Sequence, residues 1–346
     1  MNNKKNITIA VAMSGGVDSS AVAYLLKKQG YNIFGVTMRT CKEEDKDAKQ
    51  ICEDLGIEHY LYDATDEFKT DVIDKFVTDY LEGRTPNPCM VCNREVKFGK
   101  LLEFARSKGA DFMATGHYAK IKDGTLAMGD DPKKDQVYFL SQIKKENLKY
   151  IIFPIGDLEK PAVRELAKEL GVRVYAKKDS QEICFVDDGK LPEFLIEGSL
   201  GKADNPGNIV DEAGKILGKH KGISFYTIGQ RKGLGIASET PLYVIALDSK
   251  KNQVIVGSNE RLFKNRIKAR DINLLVGEEL KDLENMDLFV KTRSRDLPHP
   301  CTVKIVGGNF LEITLINDDK VRAITPGQGV VLYDSENKVV ASGFIL

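Results

Sequence analysis

No run of this chain approaches eighteen consecutive apolar residues, which excludes a single hydrophobic helix able to span a bilayer. Its first six residues also lack the long apolar stretch of a secretory signal, so the expectation is a cytoplasmic protein with no membrane partner. An excess of charge of either sign is missing too. The 51 basic residues balance 51 acidic ones, and no global field draws the chain to nucleic acid. Internal repeats and low-complexity tracts are not evident. Histidine is scarce, at four residues, and six cysteines in a reducing compartment do not indicate a stabilising disulfide framework. What is present is the composition of a folded protein, 42% hydrophobic and 29% charged. Its 346 residues allow one large core or two to three smaller ones.

Charge does gather locally. Lys215, Lys219, Lys221, Arg231 and Lys232 follow one another with no acid between them, Arg84, Arg94, Lys97 and Lys100 surround a cysteine pair, and Lys291, Arg293 and Arg295 form a third group. Such runs are either solvated faces or contacts for a phosphate backbone.

Through the first half, apolar β-rich runs alternate with helical periodicity: strands at 7–12, 33–38, 59–63 and 112–115, helices at 21–28, 44–55, 68–81 and 98–108. This pattern predicts an α/β domain built on a parallel sheet, with its binding site at the carboxyl ends of the strands, just beyond which fall Ser14, Met38 and Gly116. A helix over 157–170 with Pro161 in its first turn and Gly171 as its terminator comes next, then a strand at 172–175. Brief β runs at 209–210, 224–228, 243–247 and 253–257 mark a small central domain. Runs at 288–292, 301–306, 311–316 and 330–333 favour a C-terminal β-barrel. The expected boundaries are 1–200, 201–265 and 266–346.

The most informative segment is Ala12-Met13-Ser14-Gly15-Gly16-Val17-Asp18-Ser19, between the first strand and the first helix. Two glycines let backbone amides converge without a Cβ clash, and the helix start adds unpaired N–H groups, so the turn suits a polyanion such as pyrophosphate. It has neither the lysine of a Walker A sequence nor the spacing of a Rossmann fingerprint. The second signal is the pair Cys89 and Cys92 behind Asn87-Pro88, with Cys184 far downstream. A CxxC pair is a redox couple, half of a metal site or a coincidence, and the spacing leaves the three open. Cys41, Cys52 and Cys301 have no partner spacing.

At these residues the chain resembles the tRNA-specific 2-thiouridylase family over nearly its whole length. The matching stretches include residues 12–19, Gly83-Arg84-Thr85-Pro86-Asn87-Pro88, Cys92-Asn93, Ala114-Thr115-Gly116-His117-Tyr118, Lys134-Asp135-Gln136, Tyr138-Phe139-Leu140, Asp179-Ser180, Ile183-Cys184-Phe185, residues 227–235 and Thr325-Pro326-Gly327-Gln328. The resemblance implies a PP-loop (adenine nucleotide alpha hydrolase-like) catalytic domain. It also implies 2-thiolation of the wobble uridine in tRNAs for Lys, Glu and Gln. ATP adenylates the C2 oxygen, pyrophosphate leaves, and sulfur then displaces AMP.

Carried over residue by residue, Ala12, Met13, Ser14, Gly15, Gly16, Val17, Asp18, Ser19, Met38 and Gly116 bind ATP, with Asp18 orienting Mg2+ or the pyrophosphate. Cys184 carries a persulfide and Cys92 is the attacking or resolving thiol, the pair ending as a Cys92–Cys184 disulfide. An accessible thiolate, favoured by basic neighbours, is expected there. His117 reads as a structural or phosphate-neighbouring residue. Asn87, Pro88 and Cys89 adjoin the target base, which is extruded from the anticodon loop. Lys134, Asp135 and Gln136, and Arg293 with Ser294, contact tRNA. A cysteine desulfurase or sulfur-relay protein supplies the sulfur.

Two positions depart from the pattern. Ser294 replaces an aromatic residue common in the family. Cys89 stands where many members have aspartate, and Cys89, Cys92 and Cys184 together resemble the three-cysteine set of tRNA thiolases that bind a 4Fe-4S cluster, so persulfide and cluster routes both stay open. Rival readings are an AMP-forming, amidotransferase-like ligase acting on a small substrate, and a nonenzymatic tRNA-binding or sulfur-carrier protein.

Overall fold

The computed structural model describes residues 4–40, 45–177 and 183–346; Cys41 and the Asp179-Ser180 pair lie outside them. The chain divides into two compact units, one formed by Met1–Val72, Cys89–Gln181 and Glu336–Val340, the other by Ile73–Pro88, Glu182–Ser335 and Ala341–Leu346.

In the first unit β1 (Thr8–Ala12), β2 (Asn32–Arg39), β3 (His59–Asp63) and β4 (Phe112–Ala114) belong to one sheet. A hairpin of β5 (Ala119–Lys122) and β6 (Thr125–Met128) follows, and β7 (Ile151–Ile152) completes the sheet. The strand order is 3-2-1-4-7, with every pairing parallel. Central β1 is apolar and buried over Ile9–Val11, as a strand covered by helices on both faces must be. Helix Val17–Lys28 sets Val17, Ala21, Val22 and Leu26 into the core under the sheet, where Val163 and Ala167 of helix Lys160–Glu169 join them.

The second unit holds a four-stranded sheet of β8 (Gly207–Val210), β9 (Ile216–His220), β10 (Tyr243–Asp248) and β11 (Gln253–Gly257), ordered 10-11-8-9. After the short β12 (Phe263–Lys264) come β13 (Arg266–Leu274), β14 (Leu288–Lys291), β15 (His299–Val306), β16 (Phe310–Leu315), β17 (Val321–Arg322), β18 (Gly329–Tyr333) and β19 (Val339–Ile345). Six of these close a barrel in the order 13-16-15-14-18-19, while β12 pairs with β17. The expected α/β domain, small central domain and C-terminal barrel are therefore all present.

Local expectations needed correction. Residues 172–175 are turns, because Val172 N–H donates to Ala167 O and Tyr175 N–H to Val172 O, leaving no free ladder, and buried Val172 fills the core instead. Around 224–228 a 3-10 turn, Ile223–Phe225, replaces the strand. Met38 is the penultimate residue of β2 and does not lie beyond its end. The segment expected as helix over 68–81 runs as α-helix Thr65–Phe68, π-helix Lys69–Ile73 and α-helix Asp74–Leu81. The helix expected over 98–108 begins earlier, as π-helix Cys92–Leu101, and ends as α-helix Leu102–Ser107.

Candidate active site

The turn after β1 is fixed from beneath. Met13 N–H donates to Val36 O at 2.8 Å and Thr37 Oγ1 donates to Met13 O at 3.1 Å, tying the chain to β2. Gly15 then adopts φ +66, and a Cβ there would meet Asp47 Cβ at 2.8 Å, so glycine is required both by conformation and by space. Ser14 and Ser19 hydroxyls lie 3.2 Å apart across the turn, Ser14 N–H donates to Ser19 Oγ at 3.3 Å, and Ser20 Oγ donates to Gly16 O at 2.6 Å. Helix Val17–Lys28 has Gly16 at its N-cap and no side-chain cap, which leaves its first-turn amides for an anion. Gly116 packs directly on this helix start: a Cβ would meet Ser19 N at 2.7 Å and Asp18 C at 2.8 Å.

Asp18 does not present an open carboxylate. Lys160 Nζ donates to both of its oxygens at 2.8 Å, and Tyr118 OH donates to Oδ1 at 2.9 Å. Neither Lys160 nor Tyr118 was singled out individually from the sequence. A signal for Lys160 was nevertheless there: a cation in the first turn of a helix opposes the helix dipole, so its placement asks for another explanation.

Helix Pro88–Val91 and π-helix Cys92–Leu101 carry the cysteine pair, and π-helical turns are rare enough to mark functional positions. Asn93 explains its place beside Cys92 by donating Nδ2–H to Phe139 O at 2.9 Å, which docks this helix on helix Val137–Leu140. Cys89 is exposed and Cys92 half-buried. Although Cys89 keeps exposed surface, the protein packed around both sulfurs desolvates them and pushes both thiols up, Cys92 to about 11; Lys97 pulls both the other way but does not prevail. The expectation that basic neighbours would favour a thiolate is thus corrected for the free protein: desolvation outweighs them. His117 is held well below its ordinary value, first by burial and then by Lys97, and its Nδ1 is 2.7 Å from Thr115 Oγ1. It is a neutral imidazole between Phe98 and Phe153.

In the loop before helix Val137–Leu140, Asp135 Oδ1 accepts Gly129 N–H at 3.0 Å and Gln136 Oε1 accepts Tyr118 N–H at 3.0 Å. These two acceptor atoms are committed to the fold. Lys134, half-buried, has its N–H held by Asp131 Oδ1 at 3.2 Å.

In the second unit Asn87 and Pro88 are buried, and the strand of chain leading to them is clamped. Gln328 Nε2 donates to Thr85 O at 2.8 Å and Pro86 O at 3.2 Å, Thr85 N–H donates to Pro326 O at 2.8 Å, and Thr85 Oγ1 donates to Thr227 Oγ1 at 3.4 Å. Three motifs distant in sequence therefore meet at Thr85. Cys184 is exposed, while its neighbour Phe185 anchors the turn among Phe76 and Phe194 at ring separations of 5.2 and 5.5 Å. The apolar context of Cys184 thus belongs to Phe185, not to the thiol. Arg293 is exposed and donates to Ala323 O at 3.0 Å, with Ser294 half-buried beside it.

All described cysteines, namely Cys52, Cys89, Cys92, Cys184 and Cys301, are free thiols. Among the described residues no three His, Cys, Asp or Glu side chains stand close enough together to hold a metal ion. The donor chemistry of Cys89, Cys92 and Cys184, three thiols, suits an iron-sulfur cluster.

Comparison with known proteins follows the same division. Family models match residues 7–188 (tRNA methyl transferase HUP domain), 194–258 (tRNA methyl transferase PRC-barrel domain) and 264–345 (aminomethyltransferase beta-barrel domain). The chain is 65% identical over 344 residues to tRNA-specific 2-thiouridylase MnmA 1 of Fusobacterium nucleatum subsp. nucleatum, covering 99% of this chain and 94% of that protein. It is 44% identical to tRNA-specific 2-thiouridylase MnmA 1 of Clostridium tetani, covering 100% and 98%. Among solved structures, the U34-tRNA thiolase NcsA from Methanococcus maripaludis is 23% identical over a match that covers 57% of this chain and 65% of that one, with a TM-score of 0.36.

Proposed function

The chain belongs to the tRNA-specific 2-thiouridylase family, and from that premise we propose how its residues carry out the reaction. It is a sulfurtransferase that thiolates the wobble uridine of tRNA at the expense of ATP. The observation that carries this assignment is 65% identity along 99% of the chain, and the uncapped helix start behind Gly15 and Gly16 supplies the phosphate site.

The uridine C2 oxygen attacks the α-phosphorus, an O–P bond forms, and the bond from the α-phosphorus to the bridging oxygen of the β-phosphate breaks to release pyrophosphate. First-turn amides of helix Val17–Lys28 and the Ser14 and Ser19 hydroxyls hold the phosphates, with Mg2+ arriving on the nucleotide. Met38 and Gly116 border the nucleoside. A persulfide on Cys184 then attacks C2 through its terminal sulfur, and AMP leaves with the original oxygen. The Cys92 thiolate attacks Cys184 Sγ; the S–S bond to the transferred sulfur breaks, its electrons stay with the base as 2-thiouridine, and a Cys92–Cys184 disulfide forms. A two-electron thiol reductant restores the pair. Exposure of Cys184 supports its loading by a cysteine desulfurase or relay protein. Substrates are tRNAs for Lys, Glu and Gln, held by Asn87, Pro88 and Cys89 at the base and by Lys134 and Arg293 along the backbone. Free thiols fit a reducing, cytoplasmic setting.

A second reading is favoured by Cys89, which adds a third thiol to Cys92 and Cys184: the three would ligate a 4Fe-4S cluster that would supply the sulfur. The deciding experiment is 2-thiouridine formation, followed by mass spectrometry, on unmodified tRNA-Lys with ATP and a sulfide or persulfide source. Activity of chelated, iron-free protein, lost in C184S, is the outcome expected of the persulfide route. Activity only after cluster reconstitution selects the second reading, and none in either form refutes thiolation.

A further inference from the structure

In the second unit, Asn87 and Pro88 at the base and Arg293 on the tRNA backbone are tied to one short stretch of the barrel, residues 323–328. At its start, Ala323 O accepts from Arg293 Nη2 at 3.0 Å and from Thr325 Oγ1 at 2.8 Å. Toward its end, Pro326 O accepts Thr85 N–H at 2.8 Å, and Gln328 Nε2 donates to Thr85 O at 2.8 Å and Pro86 O at 3.2 Å. An amide nitrogen carries two N–H groups, one for each carbonyl. The Pro86 carbonyl shares a planar peptide unit with the Asn87 nitrogen, so fixing that oxygen also fixes the direction in which Asn87 leaves the chain.

The stretch is held rigidly along its length. Ala323 is buried and takes φ +55, a left-handed conformation that a residue with a Cβ adopts only where its surroundings impose it. Its N–H donates to Leu262 O at 2.8 Å, and Gly229 packs on it so closely that a Cβ there would meet Ala323 Cβ at 3.0 Å. Gly327, at φ +90, lies against the opposite partner: a Cβ would stand 3.0 Å from Thr85 O and 3.1 Å from Arg84 Cβ. Gly327 N–H donates to Ile345 O at 2.9 Å and Gln328 O accepts Ile345 N–H at 2.8 Å, so β19 pins the backbone from which the Gln328 side chain reaches out.

We propose that residues 323–328 form a strut that fixes the spacing between the backbone contact at Arg293 and the base contact at Asn87 and Pro88, with Gln328 as the positioning residue. The inference rests on the thiolation reading and on its assignment of these residues to tRNA. Gln328 acts through the peptide unit between Pro86 and Asn87. The barrel holds the anticodon arm at Arg293, and the strut turns that hold into a defined place for the extruded uridine, whose reaction requires its C2 oxygen and then C2 to meet the attacking groups in line.

The test is a double-mutant cycle on the full chain, with unmodified tRNA-Lys, ATP and a sulfide or persulfide source, comparing wild type, Q328M, R293Q and the double variant; urea unfolding gives the folded fraction of each. Methionine keeps the length of glutamine and removes both donors. Q328M should lower kcat about 10- to 100-fold, the loss expected of a slightly misplaced substrate, while KM for tRNA stays near the wild-type value. In the R293Q background the same substitution should cost less, because a strut matters only when both of its ends are engaged. If Q328M does not fold, T325V interrupts the stretch at Ala323 with little change of shape and should show the same separation of kcat from KM. Wild-type kcat in whichever variant folds, or losses from Q328M and R293Q that simply multiply, overturns the proposal. Wild-type protein that forms no 2-thiouridine, with or without a reconstituted cluster, instead refutes the thiolation reading itself.

Discussion

Ionising Cys92 in the tRNA-free protein should be difficult, and alkylation measures how difficult. Burial lifts the thiol from 9.0 to about 11, Lys97 opposes that rise, and Cys89 adds to it. A rise of that size corresponds to roughly 3 kcal/mol against the thiolate, so on the order of one thiol in a few thousand is ionised at about pH 7.5. Pulses of iodoacetamide across about pH 6.5 to 10, read by peptide mass spectrometry, should show Cys92 labelling rising about tenfold per pH unit with no plateau. K97M removes the one charge that favours the thiolate and should slow labelling further at every pH. A plateau below about pH 9, or faster labelling in K97M, would refute the claim that desolvation governs this thiol. The raised value also has a stability sign. Its contribution is complete below the unfolded thiol's pKa and is lost as pH rises toward about 11, so C92A should flatten the alkaline arm of a stability profile.

Three further outcomes are expected. Q328A leaves the Thr85 and Pro86 carbonyls without their side-chain donor; it should cost about 1 to 3 kcal/mol in urea unfolding and lower kcat for thiolation, with ATP affinity unchanged. G116A places a methyl 2.7 Å from Ser19 N, so a loss of about 1 to 3 kcal/mol and weakened ATP binding should appear in thermal shift and calorimetry, and wild-type values for both would contradict the packing. R293Q should reduce the slope of log affinity for tRNA against log salt by roughly 0.7 to 0.9, with ATP affinity unaltered, and an unchanged slope would remove Arg293 from the phosphate contacts.

Much of the architecture was legible because its signals are local. A buried parallel strand has to be apolar, as Ile9–Val11 is, and a phosphate turn has to carry glycine where a side chain would collide, as Gly15 does. The hairpin of β5 and β6 was also readable and was overlooked: Asp123 and Gly124 both take positive φ, the turn that an Asp-Gly pair favours. The misplaced strand at 172–175 shows the opposite limit, since an apolar run fits a core turn as well as a ladder and only its hydrogen-bond partners separate the two.

The sequence by itself determined the family, the order of fold types, the phosphate turn and the identities of the three thiols, because each is written in short-range chemistry. Tertiary structure alone decided which charges meet and which groups are dry. Lys160 lies 142 positions from Asp18 and Gln328 lies 243 from Thr85, and no local pattern encodes either meeting. The state of Cys92 likewise depends on how much protein excludes water from its sulfur, a property of packing and not of the residues beside it in the chain.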